Sequence, residues 1–390
     1  MMNQWIRAAL LCVVFMCYAG LLFPQKSGTI EIPMTSEHWV VTAGKVDFVE
    51  YKSTRAVKSA ENGFFNIMLK DQVFSTGTIE FDVEMVGNGF PGINFRIGPD
   101  TLNSEVFYLR HFGKPDPLRR TSTQYAAVID GVNLWDLTDE YQAGATILEG
   151  KWNHIKLVIS KHQLYAYVND MKQPALKVPM LEGITQTGGI SLSGNVIYAN
   201  MILRPHEIGN LPDVPGIDPS DNDPRFLRTW EVSEPIDLPF GRDVMMGIRF
   251  NPGVAIDSSL LNANTKWKGI QAGHRGLVNL TRLYGATDEG QRRIVWLKTT
   301  LNSETAQEKL MRLGFRDEVW VFINGSPLHV DKNYYGSAGM KEPRGRCSLE
   351  NASFEVPLQA GKNEIIIGLS NYFFGWGFMA RLEDTAGIKF

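Results

Sequence analysis

Apolar and polar residues alternate along this chain in short runs that are separated by turn residues. Up to residue 204 the clearest runs are TGTIEFDVEMV (76–86), GINFRIG (92–98), SEVFYLRHF (104–112), WNHIKLVIS (152–160), HQLYAYVND (162–170) and GGISLSG (188–194). A period of two places successive side chains on opposite faces of a strand, so each run can present one face to a core. The pattern predicts strands at these places, without an amphipathic helix of normal length, and such a series is typical of a two-sheet sandwich.

The same pattern resumes later in the chain. It is clearest in RRIVWLKTTLN (292–302), EVWVFING (318–325), SFEVPL (353–358), NEIIIGLS (363–370) and GFMARLED (377–384). Between the two groups lies the proline-rich stretch GNLPDVPGIDPSDNDP, and proline cannot donate to a β-ladder. A length of 390 residues also exceeds one ordinary domain. We therefore predict an all-β fold of two β-sandwich (jelly-roll) domains in tandem, covering residues 26–205 and 226–390 and joined by a Pro/Asp-rich linker over residues 206–225.

Two of the predicted strands end in a pair of turn residues. These pairs are Asn169-Asp170 and Asn324-Gly325. Asn, Asp and Gly tolerate the positive φ that a two-residue reversal requires, so each pair predicts a tight β-hairpin.

The first 25 residues have a different character. Arg7 precedes an apolar run over residues 8–18, and the small residues Ala19 and Gly20 follow. This order is typical of a secretory signal that is cleaved near Gly20. The alternative is an uncleaved N-terminal anchor, because apolar residues continue through Phe23. We expect an exported protein, whether periplasmic, secreted or at the cell surface, and an anchor would be its one contact with a membrane.

Composition excludes several classes of function. A formal net charge of −3 and the lack of a Lys/Arg block provide no electrostatic footprint for nucleic acid. Cleavage of the signal would leave Cys347 as the one cysteine, which excludes an intrachain disulfide and a cysteine zinc site and predicts a buried thiol. Nucleotide-binding loops and a serine nucleophile elbow are absent from the sequence. We expect no cofactor, and whether calcium supports the sandwiches stays open.

Three aspartates of the proline-rich stretch are candidates for a calcium loop. Asp218, Asp221 and Asp223 lack the glycine and the closing Glu of a helix–loop–helix calcium site. A solvated linker is the favoured interpretation.

Longer stretches of both halves are similar to known families. The first half resembles the concanavalin A-like lectin/glucanase superfamily, close to laminin-G-like modules of bacterial exported proteins, in residues 74–85, 107–112, 122–135 and 150–170. The second half resembles a galactose-binding-like jelly roll of the kind appended to bacterial glycosidases, in residues 295–304, 317–328, 356–370 and 373–378. The resemblance implies two β-sandwiches and a carbohydrate ligand, but both superfolds host binders and enzymes.

An acidic triplet provides the catalytic alternative. Period two places Glu80, Asp82 and Glu84 on one face of a strand. The spacing is formally the E-x-D-x-E of family-16 glycoside hydrolases, in which two carboxylates act as nucleophile and acid/base. The triplet lies in an early strand, directly after FSTGT, and the resemblance to laminin-G-like modules implies an edge or outer strand there whose charges face water. A glycoside hydrolase or related sugar-processing enzyme that uses this triplet remains the alternative function.

Aromatic, cationic and amide side chains in the first half provide the preferred binding site. A flat ring can hold a sugar's C–H face while an arginine and an amide bond its hydroxyls. The predicted ligand-binding residues of the first domain are Tyr108, Arg110, Gln124, Tyr125 and Trp135. Those of the second domain are Trp320, Asn324, Tyr334 and Tyr335.

Together these features predict an exported carbohydrate-binding protein with two non-catalytic modules. Its partner would be a glycan or polysaccharide, with the two sites acting in tandem through effective concentration. A protein-interaction scaffold without a small ligand is the third alternative.

Overall fold

The computed structural model describes residues 28–246, 255–257 and 259–390, so the predicted signal or anchor lies outside the described residues. The chain is all-β, with 49% strand and 2% helix. The described helices are a 3₁₀ turn, His274–Gly276, and a short α-helix, α1 (Leu280–Tyr284). Neither has the length and apolar character that crossing a membrane requires.

The N-terminal half contains two eight-stranded antiparallel sheets. Its strands are β1 (Ile30–Ile32), β2 (Trp39–Ala43), β3 (Val46–Tyr51), β4 (Thr54–Ser59), β5 (Phe65–Leu69), β6 (Gly77–Met85), β7 (Gly92–Ile97), β8 (Ser104–Leu109), β9 (Thr123–Ile129), β10 (Val132–Asn133), β11 (Gln142–Ala143), β12 (Asn153–Ile159), β13 (Leu164–Val168), β14 (Leu176–Val178), β15 (Gly189–Gly194) and β16 (Val196–Pro205). Sheet 1 has the order β14-β13-β12-β6-β16-β4-β3, with β1 also on β16. Sheet 2 has the order β10-β9-β8-β7-β15-β5-β2, with β11 also on β9.

Alternate residues of these strands build the core between sheets 1 and 2. In β6, Ile79, Phe81 and Val83 are buried in that core, as period two predicts. They meet residues of sheet 2 such as Phe95 and Phe107. The N-terminal half is therefore a β-sandwich, here called the first sandwich.

The C-terminal half forms a second sandwich. Its strands are β17 (Thr229–Ser233), β18 (Ile236–Asp237), β19 (Met245–Met246), β20 (Ala255–Ile256), β21 (Trp267–Gln271), β22 (Val278–Asn279), β23 (Arg293–Ser303), β24 (Gln307–Phe315), β25 (Asp317–Ile323), β26 (Ser326–Asn333), β27 (Ala352–Leu358), β28 (Gly361–Asn371), β29 (Gly377–Leu382) and β30 (Ile388–Lys389). Sheet 3 has the order β21-β17-β23-β28-β25-β26, with β18 and β30 also on β23, and sheet 4 has the order β22-β29-β24-β27. Strands β19 and β20 pair separately. Trp376 is fully buried in the core between sheets 3 and 4.

One of the two predicted tight hairpins is present. Asn324 and Gly325 have φ of 50° and 80° and connect β25 directly to β26, with Ile323 opposite Ser326. Asn169 also has a positive φ, of 62°, but the prediction of a tight reversal there is wrong. Strand β14 begins only at residue 176, so no two-residue turn joins it to β13, and the Asn169 side chain bonds the backbone of His154 and Thr146.

No strand is assigned between residues 206 and 225. Asp218 in this segment is nevertheless only 5% exposed, which corrects the expectation that it is solvated. Its carboxylate accepts a hydrogen bond from the Arg275 N–H at 2.6 Å and lies 3.3 Å from His274 Nδ1. The segment is thus fixed to the second sandwich by a buried charge.

The two sandwiches share an apolar cluster. It joins Leu134 and Leu137 of the first to Leu277, Cys347 and Met379 of the second. Cys347 is buried there, as expected, and burial raises the pKa of its thiol to about 12.

Candidate functional site

The acidic triplet lies on a central strand of sheet 1. Strand β6 is paired on one side with β12 and on the other with β16. The expectation of an edge or outer strand is therefore wrong, because strands from distant parts of the chain flank β6 on both sides. The three carboxylates point to the face of the sheet that is opposite the core, and Glu84 is only 6% exposed.

Each carboxylate of the triplet has a cationic partner. Glu80 lies 2.6 Å from Arg204 Nη1, Asp82 lies 2.7 Å from His154 Nδ1, and Glu84 lies 2.6 Å from Lys52 Nζ. Strands next to β6 or a nearby turn supply all of these partners. These ion pairs make the three carboxylates part of a charge network on the sheet face.

A second cluster forms on the outer face of sheet 2. Strands β8 and β9 are paired with Tyr108 opposite Gln124, and Arg110 follows the end of β8. Arg110 Nη2 donates to Gln124 Oε1 and, at 3.2 Å, to the Tyr108 hydroxyl. Gln124 Nε2 in turn donates to the Trp135 carbonyl at 2.8 Å. Four of the predicted residues therefore lie together, since pairing and period two place them on one face.

Aromatic rings surround the Arg110 guanidinium. Its Cζ lies 5.1 Å from the centre of the Tyr108 ring and 5.9 Å from that of Phe90, within the range of cation–π contacts. Burial lowers the pKa of Arg110 and raises the pKa of Tyr108 to about 12. At neutral pH the Tyr108 hydroxyl keeps its proton and can donate a hydrogen bond.

Trp135 connects this cluster to the second sandwich. Its ring meets Tyr335 edge-on at 5.1 Å between centroids and Phe374 at 5.8 Å. The guanidinium of Arg346 lies over the indole at 4.9 Å. Residues predicted separately in the two domains, Trp135 and Tyr335, are thus in direct contact. We call Tyr108, Arg110, Trp135, Tyr335, Arg346 and Phe374 the arginine–aromatic cluster.

A cleft of about 540 Å³ in the second sandwich continues from Tyr335. Its wall includes the predicted residue Tyr334 and the aromatic side chains of Phe240, Tyr372 and Phe373. Tyr335 stacks in parallel on Phe373, with 6.1 Å between the ring centres. The cleft and the arginine–aromatic cluster therefore share one wall.

Three of the predicted ligand residues lie elsewhere. Tyr125 is fully buried in the core of the first sandwich, because period two places it on the face opposite Gln124, and its hydroxyl donates to Glu105 at 2.5 Å. Trp320 is 4% exposed in a separate apolar cluster on sheet 3. Asn324 occupies the β25–β26 turn, where its amide donates to Asn363 at 2.9 Å.

Three residues of this region are not among the predicted ligand-binding residues: Phe90, Phe374 and Arg346, which the sequence offers as a weaker candidate. Arg346 and Phe374 belong to the loop motifs KEPRGR and FFGWGF, whose arginines and aromatic residues are a usable signal for a ligand rim. Neither motif indicates that its loop meets Trp135, because that contact depends on how the sandwiches pack.

A buried ion pair fixes this packing. Arg316 Nε lies 2.6 Å from Asp136 Oδ2, and both side chains are fully buried. The same carboxylate accepts the Gly375 N–H at 3.2 Å, and the Asp136 carbonyl accepts the Cys347 N–H at 2.8 Å. Asp136 directly follows Trp135, and Gly375 directly follows Phe374. These contacts hold Trp135 of the first sandwich next to Phe374 of the second.

In residues 28–246, 255–257 and 259–390 there is no group of three or more His, Cys, Asp or Glu side chains that could hold an ion.

No family model and no curated protein matches the chain. Among solved structures, the chain is similar to carbohydrate binding module CBM66 from Bacillus subtilis, with 16% identity and a TM-score of 0.33 over 44% of this chain and 99% of the module. It is also similar to domain 4 of an extracellular GH43 arabinanase from Geobacillus stearothermophilus in complex with arabinotriose, with 13% identity and a TM-score of 0.29 over 43% and 82% of the two chains. A β-glucanase from Bacillus licheniformis matches with 10% identity and a TM-score of 0.31 over 47% and 100%. Similarity at this level does not identify a ligand or an activity, so the function proposed below rests on this chain's own residues.

Proposed function

We propose that this chain is an exported carbohydrate-binding protein and that its two sandwiches build one glycan-binding surface. The contact between Trp135 of the first sandwich and Tyr335 of the second, beside Arg110, is the observation that carries the proposal. Export rests on the signal-like order of residues 1–20.

The surface combines the two kinds of contact that a sugar ring requires. Tyr335 and Phe374 are 47% and 39% exposed, so their rings can hold the C–H face of a pyranose. Arg110 and the Tyr108 hydroxyl provide donors for its oxygens. The adjoining cleft of about 540 Å³ extends the surface past one sugar unit, which favours an oligosaccharide.

One shared surface replaces the two separate sites expected from the sequence. Two tethered sites gain affinity through effective concentration, whereas a single continuous surface gains it from the summed contacts of one ligand. Residues of both sandwiches should therefore be required for the same ligand.

A glycan array with matched tryptophan variants tests this proposal. We expect Trp135→Ala to weaken binding about tenfold or more, because the substitution removes the ring that joins the two sandwiches. Trp152→Ala is the matched control, since Trp152 is also half-buried but packs on Tyr51, away from the cluster. Equal losses in the two variants, or no bound glycan with the wild-type chain, would refute the proposal.

Each glycan that binds should also be assayed for release of reducing ends. Binding without release is the expected result for a non-catalytic surface. Release that is abolished by Glu84→Gln would instead establish the hydrolase alternative at the acidic triplet.

A further inference from the structure

The arginine–aromatic cluster holds two guanidinium groups that come from different sandwiches. Arg110 enters from the end of β8, and Arg346 enters from the loop before β27 and lies over Trp135 at 4.9 Å. Arg110 is close enough to contribute to the lowered pKa of Arg346, although burial is the larger cause. Two positive groups in a partly buried place repel each other, and a nearby anion offsets that repulsion.

Carboxylates in direct contact with this pair are few. Among the residues that the structure describes, no Asp or Glu oxygen lies within 4.0 Å of an Arg110 nitrogen. Asp139 is 3.6 Å from Arg346 Nε, but it also pairs with Arg120 at 2.8 Å. Arg346 thus shares its carboxylate partner with Arg120, and Arg110 has none of its own among the described residues.

Unused hydrogen-bond donors accompany this excess charge. Arg346 is only 6% exposed, and its Nε is buried without a hydrogen-bond partner. Its side chain makes a single hydrogen bond in the described part of the chain, from Nη1 to the Arg344 carbonyl at 3.5 Å. A buried guanidinium usually has its donors satisfied, so Arg346 Nε, which lies 3.6 Å from the nearest carboxylate oxygen, can accommodate a further acceptor.

The neighbouring cleft shows the contrasting case. Its basic side chains Arg292 and Lys332 both pair with the buried Glu318, the latter at 3.0 Å. Both basic side chains of the cleft therefore have a carboxylate partner, whereas Arg110 of the arginine–aromatic cluster has none within 4.0 Å in the part of the chain that the structure describes.

We propose that Arg110 and Arg346 together bind the anionic group of an acidic glycan, a uronate carboxylate or a sulfate ester, while the adjoining aromatic rings hold its sugar. This inference rests on the proposed function and specifies its ligand class. Guanidinium groups bond planar carboxylates and sulfates through paired N–H donors, and such charge-assisted bonds are about twice as strong as neutral ones. A neutral sugar would leave the excess positive charge uncompensated.

Acidic glycans and their neutral counterparts provide the test. Calorimetric titrations of the full chain would use polygalacturonate against the same polymer fully methyl-esterified, and dextran sulfate against dextran. We expect at least about a tenfold preference for one acidic polymer over its neutral counterpart. Preference within the first pair identifies a carboxylate ligand, and preference within the second identifies a sulfate ester.

Arginine variants locate the preference in the cluster. Arg110→Gln and Arg346→Gln should each abolish most of it, and Arg110→Lys should retain part, because lysine keeps the charge and loses the planar fork. Lys114→Gln is the matched control, since Lys114 is exposed, carries the same charge and lies outside the cluster. Melting temperatures show whether the variant at the buried Arg346 is folded. The acidic preference of Arg110→Lys tests the proposal even if the Arg346 variant is not folded.

The outcomes separate this inference from the function on which it rests. If the wild-type chain binds array glycans but prefers no acidic member over its neutral match, the inference is wrong and the proposed function stands. A preference that survives both arginine variants would also overturn it. If the chain binds no glycan of any kind, the inference and the proposed function both fail.

Discussion

His154 illustrates how single residues are set by their neighbours on a sheet face. Its Nδ1 lies 2.7 Å from Asp82 and its Nε2 lies 3.3 Å from Glu80. The hydrogen bond to Asp82 raises the pKa of His154 above its usual 6.5, although partial burial opposes the shift. The imidazolium thus links two carboxylates that would otherwise repel each other.

His154→Gln tests this charge network through pH. Because folding raises the pKa of His154, its stabilising effect is fully present below about pH 6.5 and is lost as pH rises through the higher folded value. The wild-type chain should therefore exceed the variant in free energy of unfolding by more at about pH 5.5 than at about pH 9. Urea unfolding across this range measures the difference, and an advantage that grows with pH would contradict the assignment. An Asp82→Asn background should flatten the dependence.

Turns provide the clearest link from local sequence to an element. Gly325 has a φ of 80°, and a Cβ added there would meet nothing within 4 Å. Glycine is therefore required here for its backbone conformation, and not because a side chain would clash with neighbouring residues. Sequence patterns predict such a turn because its chemistry is local. The sequence at Asn169 is similar, but Asn169 lies in a longer loop whose contacts come from distant residues.

Gly325→Ala isolates the cost of the left-handed conformation. We expect it to lower the free energy of unfolding by roughly 1–2 kcal/mol, the penalty for an L side chain in this region. Gly269→Ala is the matched control, because Gly269 also has open space but lies in extended conformation in β21. Chemical denaturation of both variants checks the prediction, and equal effects would show that side-chain packing decides instead.

The whole molecule depends on how the two sandwiches pack against each other. Asp136 and Arg316 form a fully buried ion pair between them, and burial raises the pKa of Asp136 while Arg316 opposes that rise. The pair lies one residue from Trp135, so the arrangement that stabilises the interface also positions the proposed glycan surface.

Asp136→Asn should disturb stability and binding together. Removal of one partner leaves Arg316 buried beside Asp317 alone, at 3.6 Å, and we expect a loss of about 3 kcal/mol in the free energy of unfolding. Glycan affinity should fall in the same variant, since Trp135 and Tyr335 lose their common support. Calorimetry and titration measure the two effects. Glu61→Gln, in the exposed Lys45–Glu61 pair, is the control and should change little.

The sequence by itself determined the all-β class, the strand faces and the local turn chemistry, because these follow from period two and from φ preferences. Period two also favours one face for Tyr108 and Arg110, and the pairing of β8 with β9 added Gln124 to it. Only the tertiary structure decided that β6 is central and that Tyr125 lies in the core. It alone brought Trp135, Tyr335 and Arg346 together, because contacts between sandwiches depend on packing and on a buried ion pair between residues far apart in the chain.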